Sequence, residues 1–216
     1  MDYILNNAFR PQGLKVFDVK FIEKPKSGSI PEWKGYFLEF KVIEISKADE
    51  LGEDFDKMRR NAIKLNDQSP KYLVDISAYE YVDSATTTEL DGVILRVYTL
   101  EMILFEKIRA LCQTMPEYKE IVISAKQKHR ARDIYDIYLI FNNRKLNLDQ
   151  NLLTDIFKAK QVPLVLINNL ESLREYNREN WETLKATISE SDRDSLKEYD
   201  YYFDRVLEIV KPFTNL

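Results

Sequence analysis

The sequence predicts an α+β protein, and three observations carry that reading. Strand-like runs are confined to the first hundred residues, a helical period governs the chain from residue 99 onward, and the composition is that of a folded, water-facing chain. Hydrophobic residues make up 44% and charged residues 31% of the 216, enough apolar side chain for one large core or two small ones. The change of period sets the expected boundary, with a sheet region over 1–98 and a helical domain over 99–216.

LKVFDVKFI at 14–22 alternates imperfectly between apolar and polar, and KPKSGSIPEWKG after it has the Gly and Pro of a loop. YFLEFKVIEI at 36–45 is aromatic and β-branched and reads as a strand. KYLVDISAYEYV at 71–82 reads likewise, as does GVILRVYT at 92–99 after a turn at Asp91-Gly92. Between them, Leu51, Phe55, Met58, Ala62 and Leu65 recur at helical spacing and predict a helix over 48–65. Thr99 is a fitting N-cap for a helix with Leu100, Ile103, Leu104, Ile108 and Leu111 on one face. RARDIYDIYLIF at 130–141 predicts a second helix. Leu152, Leu153, Ile156 and Phe157 mark another, Leu173, Tyr176, Trp181, Leu184 and Ile188 the next, and Leu196 to Val210 the last.

Composition also excludes several chemistries. Gly occurs five times, and neither GxGxxG nor GxxxxGK[ST] is present, so no Gly-rich phosphate cradle is built here. Cys112 is the single cysteine, which rules out an internal disulfide and fits a reducing cytoplasm. With His129 as the single histidine, a Cys/His zinc site is excluded, and any metal would sit among carboxylates, the chemistry of Mg²⁺ or Mn²⁺. No basic segment leads into a long apolar run at the N-terminus, and no stretch approaches the roughly 18 apolar residues of a membrane span, so neither a signal peptide nor a membrane association is expected. The net charge of −4 argues against bulk attraction of nucleic acid, and no DNA-binding motif is found. KQKHRAR at 126–132 is either a solvated basic loop or a local phosphate-attracting site.

Three places in the sequence carry possible chemistry. On a wheel at 100° per residue, Lys107 falls within roughly 40° of the centre of the apolar stripe of helix 99–112. A lysine there must pair with an anion, snorkel to water along its stem, or lose its charge. If it faces a polar pocket it can bind a phosphate as a point charge. In the second helix, apolar residues cover almost every side except a sector of Arg132, Asp133 and Asp136 in the first turns. That sector suits a local ion pair and the helix dipole, and equally a polar cluster facing a protein cavity. Asp75, in YLVDIS, has apolar neighbours on both sides and is read as a solvent-facing strand residue or an isolated acid.

Taken together, VYTLEMILFEKIRAL, then RARDIYDIYLIF, then helices containing a Trp, resemble the AbiEii/AbiGii nucleotidyltransferase toxins of bacterial type IV toxin–antitoxin and abortive-infection systems. The family's Glu-Lys-Leu-x-Ala block is similar to Glu106-Lys107-Ile108-Arg109-Ala110. Its Arg-Asp-x-x-Asp block is similar to Arg132-Asp133-Ile134-Tyr135-Asp136, and its upstream strand acid matches Asp75 best. The likeness runs over about residues 36–215 in order and spacing. It implies a polymerase-β-like nucleotidyltransferase sheet with a C-terminal helical bundle, and transfer of a nucleotide from an NTP to an RNA or protein acceptor. It further implies Mg²⁺ or Mn²⁺ held by carboxylates, Asp75 among them, with Lys107, Asp133 and Asp136 catalytic and Arg109 and Arg132 on the substrate. A cognate antitoxin would be the protein partner. The family's first motif, a Gly-Gly or Gly-Ser turn followed about ten residues later by Asp-x-Asp, is missing from the chain and would precede residue 1. Gly28-Ser29 with Asp54-Phe55-Asp56 is a poor substitute, since the two parts lie about 25 residues apart and the acids fall in a helical pattern where i and i+2 diverge. The expectation is therefore a chain that binds metal weakly or not at all and turns nothing over, or alternatively a catalytically dead module that binds nucleotide, RNA or antitoxin.

Overall fold

The imperfect alternation of the first strand has a structural cause. β1 (Leu14–Lys24) pairs antiparallel with β2 (Gly35–Glu44), and the register slips between Phe17 and Lys20, where Asp18 takes a positive φ of 52°. The extra residue is a β-bulge, which breaks the period of two and re-aims a side chain. The structure is a computed structural model that describes residues 1–24, 34–52, 54–123 and 127–214.

β2 is the centre of a three-stranded antiparallel sheet in the order β1-β2-β3, with β3 at Tyr72–Ser77. Alternation along β2 covers both faces of the sheet. Leu38, Phe40 and Val42 join Val16 against Leu5 and Phe9 of helix α1 (Asp2–Phe9). Phe17 and Ile43 face the other way and pack with Ala48, Met58 and Ala62. At Gly35 a β-carbon would stand 2.5 Å from the carbonyl oxygen of Ile76, so only glycine lets β2 and β3 close there.

The helix expected over 48–65 is instead two short ones, α2 (Ile45–Glu50) and α3 (Phe55–Arg60). Gly52, at φ 64°, is left-handed and stops the first. Asp54 starts the second, its Oδ1 accepting from the backbone N–H of Asp56 and of Lys57, both at 3.1 Å. Met58 and Ala62 are buried as the spacing implies, whereas Phe55 and Leu65 are exposed.

The chain divides into two compact units, Met1–Tyr79 and Glu80–Leu216. The second opens with a hairpin of β4 (Thr86–Leu90) and β5 (Val93–Val97). Leu90 pairs with Val93, leaving Asp91 and Gly92 as a two-residue turn with φ of 51° and 79°, the positive pair that such a hairpin needs. β4 has no apolar alternation; its Thr86-Thr87-Thr88 supplies β-branching instead.

Thr99 caps α4 (Leu100–Cys112), accepting from Met102 N at 3.2 Å. Leu104, Ile108 and Leu111 are buried with Met102, Phe105 and Cys112, while Leu100 is exposed. α5 (Tyr118–Ile121) leads to α6 (Ala131–Asn143), and Asp149 caps α7 (Gln150–Ala159). The run Leu173 to Ile188 is not one helix. A 3₁₀ segment, Leu164–Leu173, passes into α8 (Arg174–Arg178), and the chain restarts at α9 (Trp181–Lys185) after a non-helical Asn180. α10 (Glu190–Arg193) and α11 (Tyr199–Val210) complete the unit. α4 packs on α6 and α7, and α6 on α9 and α11. No helix among the described residues is long and apolar enough to cross a membrane.

Candidate functional site

Asp133 and Asp136 stand three apart on α6 and therefore share one side of it. α4 crosses that helix with Lys107 on the inner part of its own surface. The result is a tight triad: Lys107 Nζ donates to Asp133 Oδ1 at 2.9 Å and to Asp136 Oδ2 at 2.8 Å. The three side chains are 22%, 16% and 23% exposed. The lysine thus buries its stem and ends between two carboxylates, not in open water. Burial works to lower its pKa, but the hydrogen bonds to Asp136 and Asp133 and their charges outweigh it, and the net direction is upward.

The outer oxygens of the two aspartates are also occupied. Arg130 Nη1 donates to Asp133 Oδ2 at 2.8 Å, and Arg132 Nε lies 3.4 Å from Asp136 Oδ1. Charges therefore alternate in the order Arg130, Asp133, Lys107, Asp136, Arg132. Arg130 is held there by its own backbone, whose N–H donates to Asn177 Oδ1 at 2.6 Å. Asn177 is fully buried and donates to the carbonyl of Leu173 at 3.1 Å. Next to it, His129 stacks on Tyr176 with ring centroids 4.2 Å apart and places Nδ1 2.8 Å from the Tyr176 carbonyl. Two adjacent contacts thus pin the end of the basic run onto α8. Sequence reasoning flagged that run as a whole and missed Arg130; its i,i+3 spacing to Asp133 was the available signal.

Within the same unit, a further sequence candidate, Arg109, is not brought to this triad. Arg109 follows Lys107 by two residues, about 200° around the helix, and is buried against Glu106, donating from both Nε and Nη2 to Glu106 Oε2. Burial pushes the Glu106 carboxyl up despite the nearby Arg109 charge. Asp75 belongs to the other unit, exposed on β3 opposite Phe37 of β2. Arg132 is in place, mostly exposed, with Nη1 3.5 Å from Thr187 Oγ1. Of the poor substitute for the first motif, Asp54 is the cap of α3 and Asp56 pairs with Arg59 at 3.0 Å; Gly28 and Ser29 lie outside the described residues.

The donor set can be tested against a divalent cation, which needs several hard oxygens converging at once. Among the described residues no three Asp, Glu, His or Cys side chains are grouped so as to hold one. Asp133 and Asp136 each meet a cation on both oxygens. As placed, these side chains do not fit Mg²⁺ or Mn²⁺. What they form is a fixed ammonium and two carboxylates rimmed by guanidinium groups, an arrangement suited to an anionic ligand.

The likeness read from the Glu-Lys and Arg-Asp blocks has an independent counterpart. Residues 27–209 match the family model described as nucleotidyl transferase AbiEii toxin, type IV TA system. No curated protein and no solved structure matches the chain. The matched span contains both helices of the triad and covers most of the sequence, so the chain belongs to the AbiEii nucleotidyl transferase toxin family of type IV toxin–antitoxin systems.

Proposed function

We propose that the Lys107–Asp133–Asp136 triad is the nucleotide-handling centre of an AbiEii-type toxin whose reaction moves a nucleotide from an NTP to an RNA or protein acceptor. The observation that carries this is the Lys107 amine held at 2.9 and 2.8 Å between two carboxylates of the family's Arg-Asp-x-x-Asp block. Such an ammonium among fixed carboxylates is a pre-arranged electrostatic device, which is what phosphoryl-type transfer asks of a protein. In this reading the three-stranded sheet bearing Asp75 is part of a polymerase-β-like nucleotidyltransferase sheet, the helices after Thr99 form the bundle, and the protein works in the cytoplasm against a cognate antitoxin.

A divalent metal supplies charge neutralisation at the transferring phosphate in such reactions. Because Asp133 and Asp136 are engaged by cations and the first motif is missing from the sequence, we infer that this chain alone binds Mg²⁺ or Mn²⁺ weakly or not at all and does not turn over. The same engagement favours a second reading, a module that binds nucleotide, RNA or antitoxin without catalysis. Two measurements decide. Incubation of purified 1–216 with radiolabelled NTPs and total RNA is expected to leave RNA and protein unlabelled; labelling above a Lys107→Ala control would restore the enzyme reading. Calorimetric titration with Mn²⁺ is expected to show no stoichiometric micromolar binding, and such binding would overturn the inference about the carboxylates.

A further inference from the structure

We propose that the chain pairs with a second copy of itself along the free edge of β3, in a two-fold antiparallel register centred on Leu73. Among the described residues β3 has one neighbouring strand, β2. The direction of its backbone groups follows from one bond: the Ala78 N–H donates to the Lys34 carbonyl at 2.9 Å, extending the β2–β3 ladder by one pair. Antiparallel pairs alternate between bonded and non-bonded, so Tyr72, Val74 and Ile76 turn their N–H and C=O toward β2. Leu73 and Asp75 turn theirs outward, where no backbone group of the described residues takes them up. The side chains leave the edge open as well: Leu73 is 55%, Val74 42% and Ile76 38% exposed. A bare edge flanked by apolar side chains is a template for another strand.

Charge selects the occupant. Lys71 and Asp75 stand on either side of Leu73, each two residues away. A two-fold axis at Leu73 sets that residue against its own copy, Tyr72 against the partner's Val74, and Lys71 against the partner's Asp75. Apolar meets apolar, cation meets anion, and symmetry repeats each pair. Neither charge is strongly held within its own chain. The Asp75 carboxylate has no partner among the described residues, and Lys71 Nζ reaches Glu39 at 3.4 Å, behind Lys20 at 2.8 Å. The adjacent registers fit worse: centring on Val74 sets Leu73 against the partner's Asp75, and centring on Asp75 brings two carboxylates face to face. In the Leu73 register the Leu73 N–H donates to the carbonyl of the partner's Leu73, and the Asp75 N–H to that of the partner's Lys71. The Lys71 N–H keeps its 3.2 Å bond to Ser69 Oγ. The contact uses residues of Met1–Tyr79 alone, so it holds or fails independently of the Lys107 reading. It is also short, which makes the dimer a weak one.

Sedimentation velocity of the full chain, over a series from micromolar to near-millimolar concentration, tests the pairing. Wild type is expected to pass from the mass of one chain to that of two. Asp75→Lys sets like charges opposite each other at both ends of the contact, as does Lys71→Asp, and each should weaken self-association by at least about tenfold. The swap Lys71→Asp/Asp75→Lys restores opposite charges and should return it to within about threefold of wild type. Leu73→Lys places two cations together at the axis and should abolish it. These positions are exposed, so at dilution, where the chains are apart, every variant should melt as wild type does. A wild type that stays single at every concentration overturns the proposal and leaves the edge to a strand of a different protein. A dimer indifferent to the single reversals, or one that the swap does not rescue, overturns the assignment to β3.

Discussion

Each unit of this protein contains a charge cluster built around one central group with two opposite partners, and the two are mirror images in stoichiometry. In the N-terminal unit one carboxylate, Asp18, serves two cations: Arg59 grips both its oxygens at 2.7 and 2.8 Å, and Lys41 reaches Oδ2 at 2.8 Å. In the C-terminal unit one ammonium, Lys107, serves two carboxylates at comparable distances. Burial is also similar, with Asp18 14% and Lys107 22% exposed. Ion pairing alone does not mark a site. Asp18 joins β1, β2 and α3, and its oxygens are filled by cations from those elements, which makes it a fastening. The Lys107 cluster continues outward into Arg132, loosely held and exposed, and Arg130, with a buried nitrogen unpartnered. Spare hydrogen-bonding capacity, not charge, separates a fastening from a place where something can bind.

The sharpest way to break that comparison is to remove the hub of each cluster. Lys107→Ala leaves two half-buried carboxylates with one arginine each, and is expected to cost about 2–3 kcal/mol in denaturant unfolding. Lys107→Ala/Asp133→Ala should recover part of that loss, because the two side chains interact directly. A cost below about 0.5 kcal/mol would reduce the triad to an ordinary surface pair.

Asp18→Asn should have a smaller effect, about 1–2 kcal/mol, since Arg59 is half exposed and regains water. The pH dependences point in opposite directions. The hydrogen bond from Arg59, helped by Lys41 and resisted by burial, holds the Asp18 carboxyl well below the usual carboxylate range. Its contribution is therefore present above the ordinary value of 3.8 and is lost as pH falls below it. Lys107 is shifted upward, so its contribution is present below the ordinary value of 10.5 and is lost as pH rises past its raised one. The stability gap between wild type and Asp18→Asn should accordingly close in acid, and that between wild type and Lys107→Met in strong alkali. A gap that closes at the other end contradicts the assignment of hub and partners. The smallest effect belongs to Asp75→Ala. That side chain is exposed on an edge strand, and its removal should move the midpoint by less than about 0.5 kcal/mol. A larger loss would show that Asp75 is held by contacts beyond its own strand pair.

Much of the fold was legible because it follows from period and caps. Leu104, Ile108 and Leu111 announced α4, Thr99 its start, and Asp91-Gly92 the hairpin turn, each through local chemistry that needs no distant partner. Where the reading failed, local signals conflicted. Leu51 to Leu65 kept helical spacing across Gly52 and Asp54, and the left-handed glycine and the capping aspartate prevailed. Thr86 to Thr88 lacked the alternation that betrays a strand, since their face is solvated.

The site divides in the same way. Helical geometry alone placed Lys107 on the apolar stripe of its helix, with snorkelling or pairing both open, and put Asp133 and Asp136 on one face, because it dictates angles between neighbours in the chain. Only the packing of α4 on α6 decided that these groups meet and that the lysine charge is shared between both carboxylates. Those outcomes depend on contacts 26 and 29 residues apart along the chain, and no local period encodes which helix a charged side chain will face.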